Sequence, residues 1–89
     1  DARFNLANVR LSQAKFREAE GLYRELLRNN PGDVQSQNEL GVALTRQGRT
    51  QEALEHYRKA LRLSPSFGPA RENMESALKA DQKTPAAEK

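Results

Sequence analysis

The chain contains a single histidine, His56, in the stretch EALEHYRKALRLSP over Glu52–Pro65. Glu52, Glu55 and His56 together are the residues whose types could support metal binding or proton transfer, since histidine titrates near neutral pH and carboxylates can join it as ligands. Their spacing falls one ligand short. The HxxEH metal pattern would need histidine at position 52, where this chain has glutamate. No second histidine and no cysteine is present to complete a metal set. Glu52 and His56 can still interact across one helical turn as an i, i+4 pair on a solvated helix surface. There is no Ser/His/Asp order, no phosphate-cradling glycine loop and no zinc motif. No catalytic, cofactor-binding or metal-binding residue is therefore expected, and no enzymatic activity.

The same stretch has a partner upstream. Glu18–Pro31 reads EAEGLYRELLRNNP, an offset of 34 residues. That offset relates Leu6 to Leu40, Gln13 to Gln47, Glu18 to Glu52, Ala19 to Ala53, Tyr23 to Tyr57 and Pro31 to Pro65, and it carries Arg24, Leu27 and Arg28 onto Arg58, Leu61 and Arg62. At the place of His56 the first unit has Leu22, so the framework residues recur and the histidine does not. Tyr23 and Tyr57 lie within apolar stripes at matching positions, which points to core packing rather than acid–base work.

Each unit reads as two helices. In the second unit Leu40, Val42, Ala43 and Leu44 belong to one helix, closed near Gln47–Gly48 by a glycine suited to the left-handed conformation. Thr50 is the expected N-cap of the next helix, whose Ala53, Leu54, Tyr57, Ala60 and Leu61 keep helical spacing. In the first unit Leu6, Val9 and Leu11 belong to one helix, and Ala19, Leu22, Tyr23, Leu26 and Leu27 to the other. The run NNPGD over Asn29–Asp33 is a strong turn. Ala14 replaces Gly48 in the first unit, at a cost of about 1 kcal/mol if that residue is left-handed. A fifth helix begins near Pro69. Its Ala70, Met74, Ala77 and Leu78 form one apolar stripe with a polar back, as a terminal capping helix requires. The organisation expected is 1–33 and 34–67 as helix-pair repeats, 68–80 as the cap, and 81–89 as a disordered tail.

Composition agrees with a stack. Hydrophobic residues make up 36% of 89 residues and aromatics only 6%, which suits a quasi-linear helical array better than a large compact core. The net charge of +3 comes from 15 basic and 12 acidic residues, expected to pair along solvated helix faces. Absence of cysteine leaves the redox compartment open. No apolar run approaches a membrane span and no signal segment is visible, so localisation is unassigned. The chain starts at Asp1 rather than methionine, and an excised or processed piece of a longer protein is expected.

These residues resemble the tetratricopeptide repeat. The second unit carries Leu40-Gly41, then Ala53-x-x-x-Tyr57, then Pro65 in the family's order; the first carries Leu6-Ala7, Ala19-x-x-x-Tyr23 and Pro31. Gln37 and Arg3 stand where the family often has tryptophan, Leu44 and Arg10 where it often has tyrosine, and Met74-Glu75 replaces Leu-Gly in the half-present third unit. The resemblance implies an all-α fold: antiparallel helix pairs stacked as a right-handed α-solenoid. It also implies a non-enzymatic scaffold that binds a protein or peptide partner in a concave groove lined by the first helix of each pair. On this chain those groove positions are Phe4, Asn8 and Leu11, then Gln35, Asn38, Val42, Thr45 and Arg46. Phe4, Leu11 and Val42 would supply apolar contact; Asn8, Gln35 and Asn38 would meet a peptide backbone, and Arg46 a carboxylate. The competing reading has Phe4 and Leu11 packing against an upstream repeat. One subgroup of the family clamps the carboxylate terminus of chaperone tails. Here the clamp's lysine position is Phe4, Asn8 is retained, its second-repeat asparagine is Glu39, and its later basic pair falls at Pro69 and Asn73. Chaperone-tail binding is not expected.

Two other functional classes have some support in the sequence. Arg17, Arg24 and Arg28 with Arg58, Lys59 and Arg62 form basic stripes on the second helices, the footprint of a nucleic-acid surface. Interleaving with Glu20, Glu25 and Glu55 and the lack of an aromatic stacking platform argue against nucleic acid. Self-association is the third class. Two and a half repeats are few for a stable stack, so either further repeats lie upstream or the chain forms a homodimer through its uncapped first helix pair.

Overall fold

The computed structural model describes residues 2–83. Five helices follow in order: α1 (Ala2–Ser12), α2 (Phe16–Asn29), α3 (Val34–Arg46), α4 (Thr50–Leu63) and α5 (Gly68–Lys83). Consecutive helices pack on one another, and α3 and α5 also meet, as do α1 and α3. The body measures 43 × 29 × 18 Å, the slab expected of a short helical stack. It is an all-α helical repeat solenoid.

The apolar stripes point where their periodicity requires. Ala19, Tyr23 and Leu26 of α2 and Ala53, Leu54, Tyr57 and Ala60 of α4 are buried. Helix α3 lies between them and is buried on most sides, polar Ser36, Gln37 and Asn38 included. Ala7, Ala19 and Ala53 are fully buried. Of the glycines, Gly41 is the one packed tightly against a neighbouring helix. A Cβ added there would sit 2.4 Å from Cε1 of Tyr57, so the helix pair α3–α4 closes around the absence of a side chain.

The two intra-pair turns are built alike. Ala14 has φ 63° and Gly48 φ 81°, both left-handed. The amides of Lys15 and Arg49 reach back to the carbonyls of Arg10 and Leu44, each at 2.9 Å, the long bond of a Schellman closure. The first turn therefore imposes on an alanine the conformation that the second gives to glycine. Thr50 does not act as the N-cap of α4: Arg49 holds that place without a side-chain cap bond, and Thr50 is already helical. The Schellman bond commits the Arg49 amide backwards, while its guanidinium reaches forward to Glu52 in the first turn at 2.7 Å. Helix α3 has a true cap, Asp33, whose carboxylate accepts from the Ser36 amide and hydroxyl.

Helix α5 packs its Ala70 and Ala77 inward, half-buries Met74 and leaves Leu78 partly open. It continues through Lys83, three residues past the expected boundary at residue 80, with Asp81 half-buried; residues 84–89 lie outside the described part.

Candidate partner-binding groove

The two core tyrosines aim their hydroxyls at the first helix of their own pair. Tyr23 donates to the Asn8 side-chain oxygen. Tyr57 lies 3.1 Å from the Thr45 hydroxyl, which is itself 2.9 Å from the Gly41 carbonyl. A threonine hydroxyl has one proton, and here it goes to the carbonyl, so Tyr57 is the donor to Thr45. Burial raises the pKa of both phenols, and the nearby Glu39 charge adds to the rise. They are structural donors, not acids.

This geometry sorts the expected groove residues. Asn8, Leu11, Val42 and Arg46 come together around an open cleft of about 390 Å³ between α1 and α3, closed at one end by Ala14 and Phe16. Thr45 is engaged by Tyr57, and Asn38 is 3% exposed and accepts from the Asn73 amide at 3.0 Å, stitching α3 to α5. Gln35 is exposed and does not line the cleft. Phe4 is half-buried against its own pair, edge-on to Tyr23 with ring centroids 6.0 Å apart. It therefore packs within the first repeat, and Leu11 packs on the same core.

Glu39 is the cleft residue that sequence reasoning considered only as a missing clamp asparagine. Its half-buried carboxylate makes no hydrogen bond or ion pair among the described residues, and burial raises its pKa. The signal was in the register. Gln35, Glu39, Val42 and Arg46 follow one another by four, three and four residues on one stripe of α3. Asn38, Gly41 and Thr45 form the adjacent stripe, which turns inward.

His56 does not pair with Glu52. Its Nδ1 lies 2.8 Å from Oε1 of Gln37, at the start of α3. Glu52 turns instead to Arg49 and Arg24. Burial lowers the His56 pKa, as do the charges of Lys59 and Arg24, against weaker opposition from Glu55 and Glu52. The imidazole is a neutral strut between helices. Among the described residues no three histidine, aspartate or glutamate side chains gather as a metal site would need.

Glu20 joins the repeats. Its side chain, 13% exposed, takes Arg24 on one oxygen and Arg49 and Gln47 on the other, all at 2.9 Å. Burial works to raise its pKa, but the bonds from Gln47, Arg24 and Arg49 prevail and hold it below the usual glutamate range.

Residues 4–66 match the tetratricopeptide repeat profile. The chain belongs to the tetratricopeptide repeat family. This fold family is a protein-interaction scaffold, and the chain carries a protein–protein interaction repeat. A solved tetratricopeptide repeat domain protein from Salinibacter ruber matches with a TM-score of 0.66, covering 98% of this chain and 87% of that one at 24% identity, a likeness of fold. Among curated proteins, the peroxisomal targeting signal receptor of Kluyveromyces lactis is 34% identical over 74 residues, 83% of this chain. The receptor of the same name from Saccharomyces cerevisiae is 42% identical over 52 residues, 58% of this chain. The chain spans only 13% and 8% of those two proteins. Among the described residues no helix is long and apolar enough to cross a membrane.

Proposed function

We propose that this chain holds an extended segment of a partner protein in the cleft between α1 and α3, without catalysing a reaction. The observation that carries the reading is the unpartnered Glu39 carboxylate beside the apolar Leu11 and Val42. A segment with a lysine or arginine opposite Glu39 and an aliphatic side chain between Leu11 and Val42 satisfies both. Asn8 spends its side-chain oxygen on Tyr23, which leaves its amide to donate to a peptide carbonyl. Arg46 lies at the exposed end of the stripe and suits a carboxylate. Phe4 is half-buried against Tyr23 and lies outside the cleft lining. Glu39 and the lack of basic residues at Phe4, Pro69 and Asn73 disfavour a chaperone tail, and the curated relatives' role as targeting-signal receptors favours segment recognition.

The test is peptide-display selection against the whole chain, followed by isothermal titration of a selected peptide. Enriched peptides should carry a basic residue, and Glu39→Gln and Val42→Asp should each weaken binding about tenfold or more. Selected peptides that are acidic, or that bind both variants undiminished, would refute the groove reading.

A second reading has its own observation. Leu6 and Val9 are 42% and 46% exposed, whereas their repeat mates Leu40 and Ala43 are fully buried. The outer face of α1 thus has the composition of a covered face, which favours a further repeat packing there or self-association through it. Light scattering across concentration tests the latter, and a strict monomer at all concentrations would exclude it.

A further inference from the structure

On the side of the molecule formed by the second helices, two crevices of about 360 and 310 Å³ share Pro31, Gln37 and Lys59 and so run together between α2 and α4. Arg24 and Arg28 border one end, and Arg62 with Leu63 the other. No acidic side chain lines either crevice. Arg28, Lys59 and Arg62 make no ion pair among the described residues, and three of the neighbouring acids are committed elsewhere. Glu20 and Glu52 are held by Arg24 and Arg49, and Glu25 by Arg3. Glu55 is uncommitted; it lies outside both crevices but lines an adjoining one with Arg58, Lys59 and Arg62, without forming an ion pair to them among the described residues.

The floor is ordered. Gln37 is 6% exposed; its amide donates to the Pro31 carbonyl at 3.3 Å, and its oxygen faces His56 Nδ1 at 2.8 Å. With the amide directed at Pro31, the oxygen must accept, so His56 carries its neutral proton on Nδ1. Leu63, 48% exposed, adds an apolar step at the end of the crevice.

We infer that this crevice is a second docking site, for a glutamate- or aspartate-rich segment of a partner protein that also carries an aliphatic side chain. Charge complementarity selects the acidic residues: carboxylates can meet Arg28, Lys59 and Arg62 together without displacing an existing ion pair. The aliphatic side chain covers Leu63. A nucleic-acid strand fits less well, since the apolar walls are aliphatic (Leu27, Pro31, Leu63), no phenylalanine, tyrosine or tryptophan lines them, and the one imidazole, His56, is half-buried and bound to Gln37. The site is independent of the α1–α3 cleft, which has an acid at its centre.

His56 is a built-in reporter. Lys59 and Arg24 face it as cations, and Glu55 and Glu52 as weaker anions. A carboxylate arriving in the crevice offsets those cations and favours the imidazolium. The experiment is an NMR titration of the full chain with a capped peptide of alternating glutamate and leucine. The expected result is a His56 pKa raised by about one unit, with shifts at Arg28, Lys59 and Arg62. Affinity should fall between about 50 and about 300 mM salt. The exposed pair Lys59→Glu with Arg62→Glu should weaken binding at least about tenfold while circular dichroism stays unchanged. A glutamine–leucine peptide that binds equally well, an unshifted His56, shifts centred on Asn8 and Val42, or tighter binding of a single-stranded oligonucleotide would each overturn the proposal.

Discussion

Gly41→Ala and Gly21→Ala make the same chemical change in two helices and should move stability in opposite directions. Gly21 lies in the middle of α2, where an added Cβ meets nothing within 4 Å. There the gain is the ordinary helix preference of alanine, about 0.5–1 kcal/mol. At Gly41 the added carbon would sit 2.4 Å from Cε1 of Tyr57 and 2.8 Å from Cδ1 and Cζ. The ring has no easy retreat: Tyr57 is 1% exposed and its hydroxyl is bound to Thr45. Overpacking of a closed core costs about 1–3 kcal/mol, and an approach this short calls for the upper end. Subtracting about 1 kcal/mol of helix preference leaves a net loss of about 2 kcal/mol. For a domain of this size that lowers the midpoint by roughly 8–16 °C.

Urea and thermal unfolding of the two single variants are the assay, with Tyr57→Leu and its double variant with Gly41→Ala closing a cycle. If the ring is the obstacle, Gly41→Ala should stabilise by about 1 kcal/mol in the Tyr57→Leu background, where only the helix preference remains, giving a coupling of about 3 kcal/mol. A Gly41→Ala chain as stable as the original, or an unchanged penalty without the ring, would refute the close-approach account.

The left-handed turn residues give a second pair: Ala14→Gly should stabilise, and Gly48→Ala destabilise, each by about 1 kcal/mol, read from the denaturation midpoint. Glu39 and Glu20 should tilt the stability–pH profile in opposite senses. Burial raises the Glu39 pKa, so its contribution is full below the unfolded carboxyl value and is lost as pH rises through the folded one. Glu39→Gln should therefore stabilise the chain at neutral pH and leave acid stability nearly unchanged. For Glu20, burial is outweighed by the bonds from Gln47, Arg24 and Arg49; its contribution is present above the unfolded value and lost as pH falls through the lower folded one. Glu20→Gln should lower the neutral-pH midpoint and flatten the acid limb. Unfolding curves measured across acid to neutral pH check both.

Much of the fold was legible because the repeat doubles every signal. The tyrosine, alanine and proline matches 34 residues apart specified two copies of one helix pair, and Gly48 announced a left-handed closure; that Ala14 adopts it as fully, where a less well closed turn is expected of an alanine, comes from the structure. The N-cap was misplaced at Thr50 because a hydroxyl at a helix start is the usual cap, and nothing local says that Arg49 will tie Glu52 instead. The groove was only half legible. Counting along α3 identifies the faces that point outward. It does not reveal which polar residues have partners on another helix. Asn38 is taken by Asn73 and Thr45 by Tyr57, contacts across 35 and 12 residues that have no sequence period.

That same limit explains why His56 and Glu39 exchange importance between sequence and structure. His56 stood out by residue type, yet burial, helped by neighbouring cations, lowers its pKa, and Gln37 bonds it, so its chemistry is muted by its surroundings. Glu39 was one glutamate among many, yet the fold half-buries it in the cleft with no hydrogen bond or ion pair among the described residues. A carboxylate in that state raises the free energy of the empty cleft, and a cationic ligand recovers the deficit on binding. Stability and recognition are thereby linked at one residue. The variant that makes the chain more stable at neutral pH, Glu39→Gln, should be the one that binds a basic segment less tightly. A Glu39→Gln chain that gains stability and keeps full affinity would show that the carboxylate is a packing defect and not part of a binding site.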